Sequence, residues 1–328
     1  MHPFCAWLLV VLPPVCSRPP ALPLPWLDSG HKTVALIAWA ELTPAARAKV
    51  TAILQQHPLF EQDLLRGLAE GADAAARSRH AFAVAATWPD VVRGMGHPMH
   101  KQCDHPPWHY INIPYAIEDQ PVPAATRSDK PGPHDVVEAL QQVIAELRAG
   151  NGPAADQAIA ICWLLHLVGD IHQPLHACTL YSPQFPNGDQ GGIGFLVLRD
   201  PPYGNSQMNL HLLWDSLPGT FKSDDLDGYL AGGLRADPRF ARDRLHALLA
   251  VHDVAAWAQE SHALAIEHAY LKGALKGAVA HEQRGEGKAE IPGVPRGYLE
   301  QAEPVAMQRV LLAGYRAADL LNAMFDRK

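Results

Sequence analysis

The stretch from Cys162 to His176, C-W-L-L-H-L-V-G-D-I-H-Q-P-L-H, constrains the fold of this chain more than any other. It is apolar nearly all round, which is the signature of a buried helix. Within it His166 and Asp170 stand four apart, so they share one helical face, one turn from each other. A carboxylate carried into a core requires a strong partner. Pro174 removes a backbone donor and breaks the helix, and His176 projects just past the break. Three candidate metal ligands thus come from one buried segment. On this segment alone, a core histidine bonded to a core aspartate is an equally good reading.

The rest of the chain tips the balance. N-L-H-L-L-W-D places His211 and Asp215 four apart on a second helix, again flanked by Trp and Leu. One such pair arises readily by chance; two do not. Gly30-His31 opens the first helix, W-P-D places Asp90 at a helix end with Arg93 three residues on, and W-H-Y-I-N places His109 between Trp108 and Tyr110. Imidazole with carboxylate, and no cysteine in the spacing, suits zinc over magnesium or calcium. His31, Asp90, His109, His166, Asp170, His176, His211 and Asp215 are too many for one tetrahedral ion and enough for two or three. Clusters of that kind suit phosphate-ester hydrolysis, because the ions acidify a bound water and hold phosphoryl oxygens. Trp88, Trp108, Trp163 and Trp214 each sit within three residues of a candidate ligand and are expected to wall the cluster against water. His97, His100 and His105, in G-H-P-M-H-K-Q-C-D-H, and His172 fall outside the set. A solvated loop is the preferred reading of the first three, over a fourth metal site.

Composition sets outer limits. A chain of 328 residues, 48 % hydrophobic, is long enough to bury a sizeable core as one domain. A net charge of −7 argues against a protein that coats nucleic acid through a broad basic surface, but not against one that grips a single phosphate in a metal-lined pocket. The amino end, residues 1–25, has an apolar core too short to span a membrane and reads as a removed secretory leader, which predicts a secreted or periplasmic protein. It has no Lys or Arg before its apolar core and no A-x-A before Trp26. No other stretch suits a membrane. Without the leader, Cys103, Cys162 and Cys178 remain, enough for at most one internal bridge; Cys162 reads as a small apolar filler.

Along the chain, Val34 to Leu42 reads as a helix, and Thr43-Pro44 caps another toward Gln56. An Ala-rich helix over Ala72 to Ala86 ends where Pro89 forces Trp88 out of helical geometry. Gly94 to Pro133 is long, polar and Pro-rich, a functional or mobile loop. Asp135 to Arg148 is amphipathic and stopped by Gly150. Phe195 to Leu198 reads as a strand of a small hairpin, and Asn209 to Leu217 as a short helix. Helices follow at Pro238–Ala250 and Asp253–Lys272, then a charged loop over Gly273 to Gly297. In the last helix Met307, Leu311, Gly314, Ala318, Leu321 and Phe325 form one buried stripe. Residues 26–328 are expected to form a single compact all-α, multi-helix domain with a small β-hairpin.

The blocks W-x-x-x-G-H, W-x-D-x-x-R, W-H-Y-I-N, H-x-x-G-D-x-x-Q-P-L-H and N-L-H-x-x-W-D, in this order, resemble the S1/P1 nuclease family, distant relatives of bacterial zinc-dependent phospholipase C. The likeness runs from Trp26 to about Asn322, with A-G-Y-R-A-A-D-L-L-N near the carboxyl end. It implies a mostly helical domain with three zinc ions. One would be held by Asp90, His109, His166 and Asp170, and a second by His176, His211 and Asp215. The third would take His31, Asp170 as a bridge, and the amine and carbonyl oxygen of Trp26. Arg93 would stabilise charge on the phosphate, with Asp90 and Asp170 beside it in the catalytic centre. Tyr110 would pack on a base that Asn112 reads. The implied substrates are single-stranded DNA and RNA, cut to 5′-phosphorylated products, and 3′-nucleotides, with no stable protein partner and a monomeric enzyme. Two departures stand out. Gly191-Gly192-Ile193 replaces the family's G-G-N, and three cysteines cannot form its two disulfides; Cys103 with Cys178 is the candidate pair that the resemblance suggests. The rival readings are a phospholipase C-like hydrolase of phosphodiester head groups and a non-catalytic zinc-binding protein.

Overall fold

The structure, a computed structural model, describes residues 28–124, 132–199, 206–217, 226–280 and 290–326. The leader and Trp26 lie outside the described residues. The architecture is mostly helical, as expected. The chain enters through α1 (Asp28–Glu41) and α2 (Pro44–Leu54), then a π-helical turn at Phe60–Leu64. Thr43 Oγ1 accepts from Ala46 N at the start of α2, as the Thr-Pro signal predicts. Next come α3 (Ala74–Ala85), α4 (Trp88–Val92) and α5 (His100–Cys103). Pro89 does not expel Trp88 from a helix. It sits in the first turn of α4, where a proline needs no hydrogen bond, and Trp88 opens that helix. The expected long loop after Gly94 is partly structured, with α5, a 3₁₀ turn at Pro106–His109 and strand β1 (Pro114–Ala116).

Helix α6 (Val136–Ala149) keeps the bounds its caps dictate. Asp135 Oδ1 accepts from Val137 N and Glu138 N, and Gly150 closes the helix with φ 62°. Helix α7 (Ala154–His172) is the central element, buried continuously from Ala160 to His172 and packed against α1, α2, α3, α4 and α6. Among the described residues it is the one helix long and apolar enough to cross a membrane, but 72 % of that window is buried inside the protein. A 3₁₀ turn at Pro174–Ala177 and strand β2 (Thr179–Tyr181) follow, and β2 pairs in parallel with β1.

Strands β3 (Phe195–Arg199) and β4 (Ser206–Asn209) form the expected hairpin, which leads into α8 (Leu210–Asp215). Helices α9 (Leu226–Ala236), α10 (His246–Leu249) and α11 (Val254–Leu264) complete the middle of the chain. The helix expected over Pro238–Ala250 is two short pieces, a 3₁₀ turn at Pro238–Phe240 and α10. The helix expected to Lys272 passes through a π turn at Ala265–Ala269 and a 3₁₀ turn at Leu271–Gly273. Strand β5 (Ala278–Val279) arises inside the segment expected as a surface loop and adds a third strand to the hairpin, in the order β4-β3-β5. Helix α12 (Tyr298–Phe325) closes the chain. Gly314 lets it approach α1, since a Cβ there would lie 2.5 Å from Ile37 Cγ2.

The buried apolar residues fall into two clusters. The larger is helical and includes Ile37, Phe82, Trp88, Leu140, Leu164 and Leu311. The smaller packs around the three-stranded sheet and includes Leu175, Phe195, Trp214 and Tyr270. Helix α7 ends where the two meet, and the turn after it carries the chain from one to the other.

Candidate metal centre

Eight candidate ligands come from six elements: His31 from α1, Asp90 from α4, His109 from the turn before β1, His166 and Asp170 from α7, His176 from the turn after it, and His211 and Asp215 from α8. The structure gathers them into three groups, each with its donor atoms within 4.8 Å of one another: His31, His166 and Asp170; Asp90, His109 and His166; and His176, His211 and Asp215. Asp170 is the hub. Its Oδ2 lies 3.1 Å from both His109 Nδ1 and His166 Nε2, and its Oδ1 lies 3.4 Å from His31 Nε2 and 3.5 Å from His176 Nδ1.

The imidazoles are aimed by their second nitrogens. In three of the five rings, one nitrogen donates to a backbone carbonyl and so turns the other toward the cluster. His166 Nδ1 donates to Ala86 O at 2.8 Å, His176 Nδ1 to His109 O at 2.6 Å and His211 Nδ1 to Gly191 O at 2.8 Å. Gln173, at the end of α7, uses both ends of its amide. Its Oε1 accepts from Leu175 N at 2.5 Å, and its Nε2 donates to Asp215 Oδ1 at 2.7 Å. His31 lies flat on His166, rings 4.0 Å apart.

Burial shapes the electrostatics. It keeps His31 and His109 neutral by pulling both down to about 4, and His176 to about 3. Burial, with the neighbouring Asp170 adding to it, pushes Asp90 up to about 7. At His166 burial works downward, but the Asp170 and Asp90 carboxylates outweigh it and hold the ring up at about 9. The same contacts, against burial, hold Asp170 well below the usual carboxylate range.

This donor set fits metal ions. His31 Nε2, His176 Nε2, Asp90 Oδ1 and Asp170 Oδ1 are buried and have no hydrogen-bond partner within the protein. Buried polar atoms are almost always satisfied, and unpaired lone pairs converging on shared points are what cation coordination requires.

A cleft of about 580 Å³ opens onto the cluster, with His109, His176 and His211 in its wall. Arg93 also lines it, Nη1 3.6 Å from Asp90 Oδ1. Tyr110 lines it and is 41 % exposed. Asn112 lines it with its Oδ1 held by Thr179 Oγ1 at 2.7 Å. Trp163 meets the ring of His109 edge-on at 5.4 Å, and Trp88 and Trp214 are fully buried. Trp108, only partly buried, stacks on His105.

Other expectations fare differently. His97 is not loosely solvated; its Nε2 lies 3.0 Å from Asp63 Oδ2, which also accepts from Trp88 Nε1. Among the described residues, no metal-binding group includes His97, His100, His105 or His172. Cys103 and Cys178 do not pair: with Cys162, all three are buried free thiols, each filling apolar space. The sequence reading missed the orienting role of Gln173. Its signal was present in the Q-P dipeptide that ends the central helix.

The comparisons with known proteins agree with this geometry. The S1/P1 nuclease family model matches residues 26–326. Endonuclease 1 of Arabidopsis thaliana is 24 % identical over 260 residues, which covers 73 % of this chain and 73 % of that protein. Every one of the eight clustered side chains lies inside the matched range, and the chain belongs to the S1/P1 nuclease family, whose members are hydrolases that act on nucleic acids.

Proposed function

We propose that the chain is a zinc-dependent phosphodiesterase. It cleaves single-stranded DNA and RNA to 5′-phosphorylated products and removes the phosphate of 3′-nucleotides. The convergence of eight His and Asp side chains, seven of them buried, beside a cleft lined by three of them together with Arg93 and Tyr110 carries this reading. Three zinc ions, held by the three groups, would acidify a water and polarise the phosphoryl oxygens. The chain's own residues supply the rest. Arg93 offers a forked set of donors to phosphate oxygens and meets the charge that grows on them. Tyr110 presents an exposed ring on which a base can stack, which requires an unpaired strand. Asn112, its Oδ1 engaged by Thr179, keeps its amide hydrogens for a base edge.

We further propose that the protein is a secreted or periplasmic monomer from which residues 1–25 are removed. The apolar amino end supports this. Removal would also free the α-amine of Trp26, which titrates near ~8 and can yield its proton to a metal near neutral pH. Amino-terminal sequencing of active, metal-replete protein should read Trp26 first. Pro25 still attached would overturn the Trp26 ligand.

The decisive experiment is metal analysis combined with hydrolysis of single-stranded DNA and phosphatidylcholine, before and after chelation. Zinc-bearing protein should cut DNA, lose that activity with its metal and regain it on zinc addition. DNA cleavage that survives complete metal removal, or hydrolysis of the lipid alone, overturns the proposal.

A further inference from the structure

We propose that a second compartment, which shares a wall with the metal cleft, seats the nucleobase of the nucleotide next to the one being cleaved. The inference rests on the nuclease reading above and extends it to a binding site of its own.

The compartment has a volume of about 630 Å³ and shares Asn187, Gln190 and Ile193 with the metal cleft. Both volumes fall in the range of roughly 300–1,000 Å³ usual for small-ligand sites. The two differ in chemistry. The metal cleft holds Arg93 and three ligand histidines, a wall suited to phosphate. Among the described residues, no charged side chain lines the second compartment. Pro183, Pro186 and Val279 give it apolar surface, and Asn187 and Gln190 give it amides. An uncharged flat group with donors and acceptors on its edge fits such a lining, and a phosphate does not. Amides carry both donors and acceptors, so they meet the edges of all the bases with little selection.

The turn that carries Gln190 into the shared wall is built at a cost to the backbone. Gln190, Gly191 and Gly192 follow one another at φ 57°, 63° and 85°. Gly191 has no room for a side chain: a Cβ there would lie 2.6 Å from Leu175 O, and Gly191 O accepts from His211 Nδ1. The turn is therefore locked to a candidate ligand. Gln190 heads it in a left-handed conformation that a glycine would adopt without strain. It is exposed, and it lines both compartments. Strain of this kind is retained where the side chain is used. Ile193, 38 % exposed, follows on the same wall and offers an apolar face to either base.

Ala280 lines the second compartment and not the metal cleft. The experiment compares kcat/KM of the zinc-loaded enzyme on a single-stranded trinucleotide and on a 3′-mononucleotide, for wild type, Ala280→Phe and Pro186→Glu. Wild type should favour the trinucleotide. Ala280→Phe, which fills the compartment, should lower kcat/KM on the trinucleotide about tenfold, the factor that the loss of about 1.4 kcal/mol of base contact gives, and leave the mononucleotide unchanged. Pro186→Glu, on the exposed rim, should show the same selective loss, relieved by salt. It serves as the test should the phenylalanine disturb folding. Equal effects on both substrates, or none on either, overturn the second compartment while leaving the nuclease reading intact. A wild-type enzyme that hydrolyses neither substrate overturns both.

Discussion

The ring of His31 lies on the bare backbone of Gly169: a Cβ at that glycine would sit 2.7 Å from His31 Nδ1. The glycine before the hub aspartate is therefore there for space. Alanine is the better helix former by about 0.5–1 kcal/mol, but here its methyl group would displace the imidazole from Asp170. Gly169→Ala should leave the helical content unchanged and cost one metal ion per chain. Metal analysis beside circular dichroism checks this, and a fully loaded variant would show that His31 does not ligate.

Gln173 ties the end of the central helix to the group around α8 by donating to Asp215 Oδ1. With that oxygen fixed, Oδ2 faces His211 Nε2 at 3.5 Å. Gln173→Leu keeps the volume but frees the carboxylate to rotate. Loss of an orienting partner of this kind typically costs about 10–100-fold in metal affinity. Chelator competition should show that loss in one of the bound ions, and the melting temperature of the metal-free protein should also fall, because Leu175 N loses its buried acceptor.

Asp170 touches four imidazoles, so Asp170→Asn is expected to reach further than either change above. An amide nitrogen cannot accept, and one of the two oxygens that face the rings becomes a donor. The variant should lose more than one ion per chain, and hydrolysis of single-stranded DNA should fall to about a hundredth or less. Retention of the full metal complement would remove Asp170 from the hub.

What the sequence made legible was local chemistry with a fixed period. Asp135 and Gly150 bound α6 because a side-chain cap and a left-handed stop act within one turn. The spacing of His166 with Asp170 and of His211 with Asp215 put each pair on one helical face, and the structure brings both pairs into the same cluster. Long-range pairing left no such mark. The parallel match of β1 with β2 joins residues more than sixty positions apart, and β5 is two residues long inside a charged segment. Arg309 and Arg316 were also hidden. They interrupt no apolar stripe, since they lie between its members, yet they are 1 % and 2 % exposed. Only their partners, on α7, α10 and α11, explain them.

Those two arginines converge on Glu260. Arg309 Nη1 donates to Oε2 at 2.8 Å, and Arg316 donates to both carboxylate oxygens at 2.7 and 2.8 Å. Arg309 Nε also donates to His172 O, so the cluster caps the end of the helix that carries the hub aspartate. Burial pushes the Glu260 carboxyl up, but hydrogen bonds from Arg316 and Arg309 outweigh it and hold it below its ordinary 4.5. A carboxyl depressed in the folded state adds stability that is complete above its unfolded value and is lost as pH falls through the folded one. Removing one partner of a buried pair costs about 3–5 kcal/mol, because the cations left behind stay desolvated. Glu260→Gln keeps the shape and loses the charge, so its melting temperature at neutral pH should fall well below wild type. The gap should hold steady above the ordinary 4.5 of a free glutamate and close only as pH falls below it, through the depressed titration of the folded state. A gap that persists unchanged at the acid end would mean that packing, and not the charge on Glu260, secures this end of the helix.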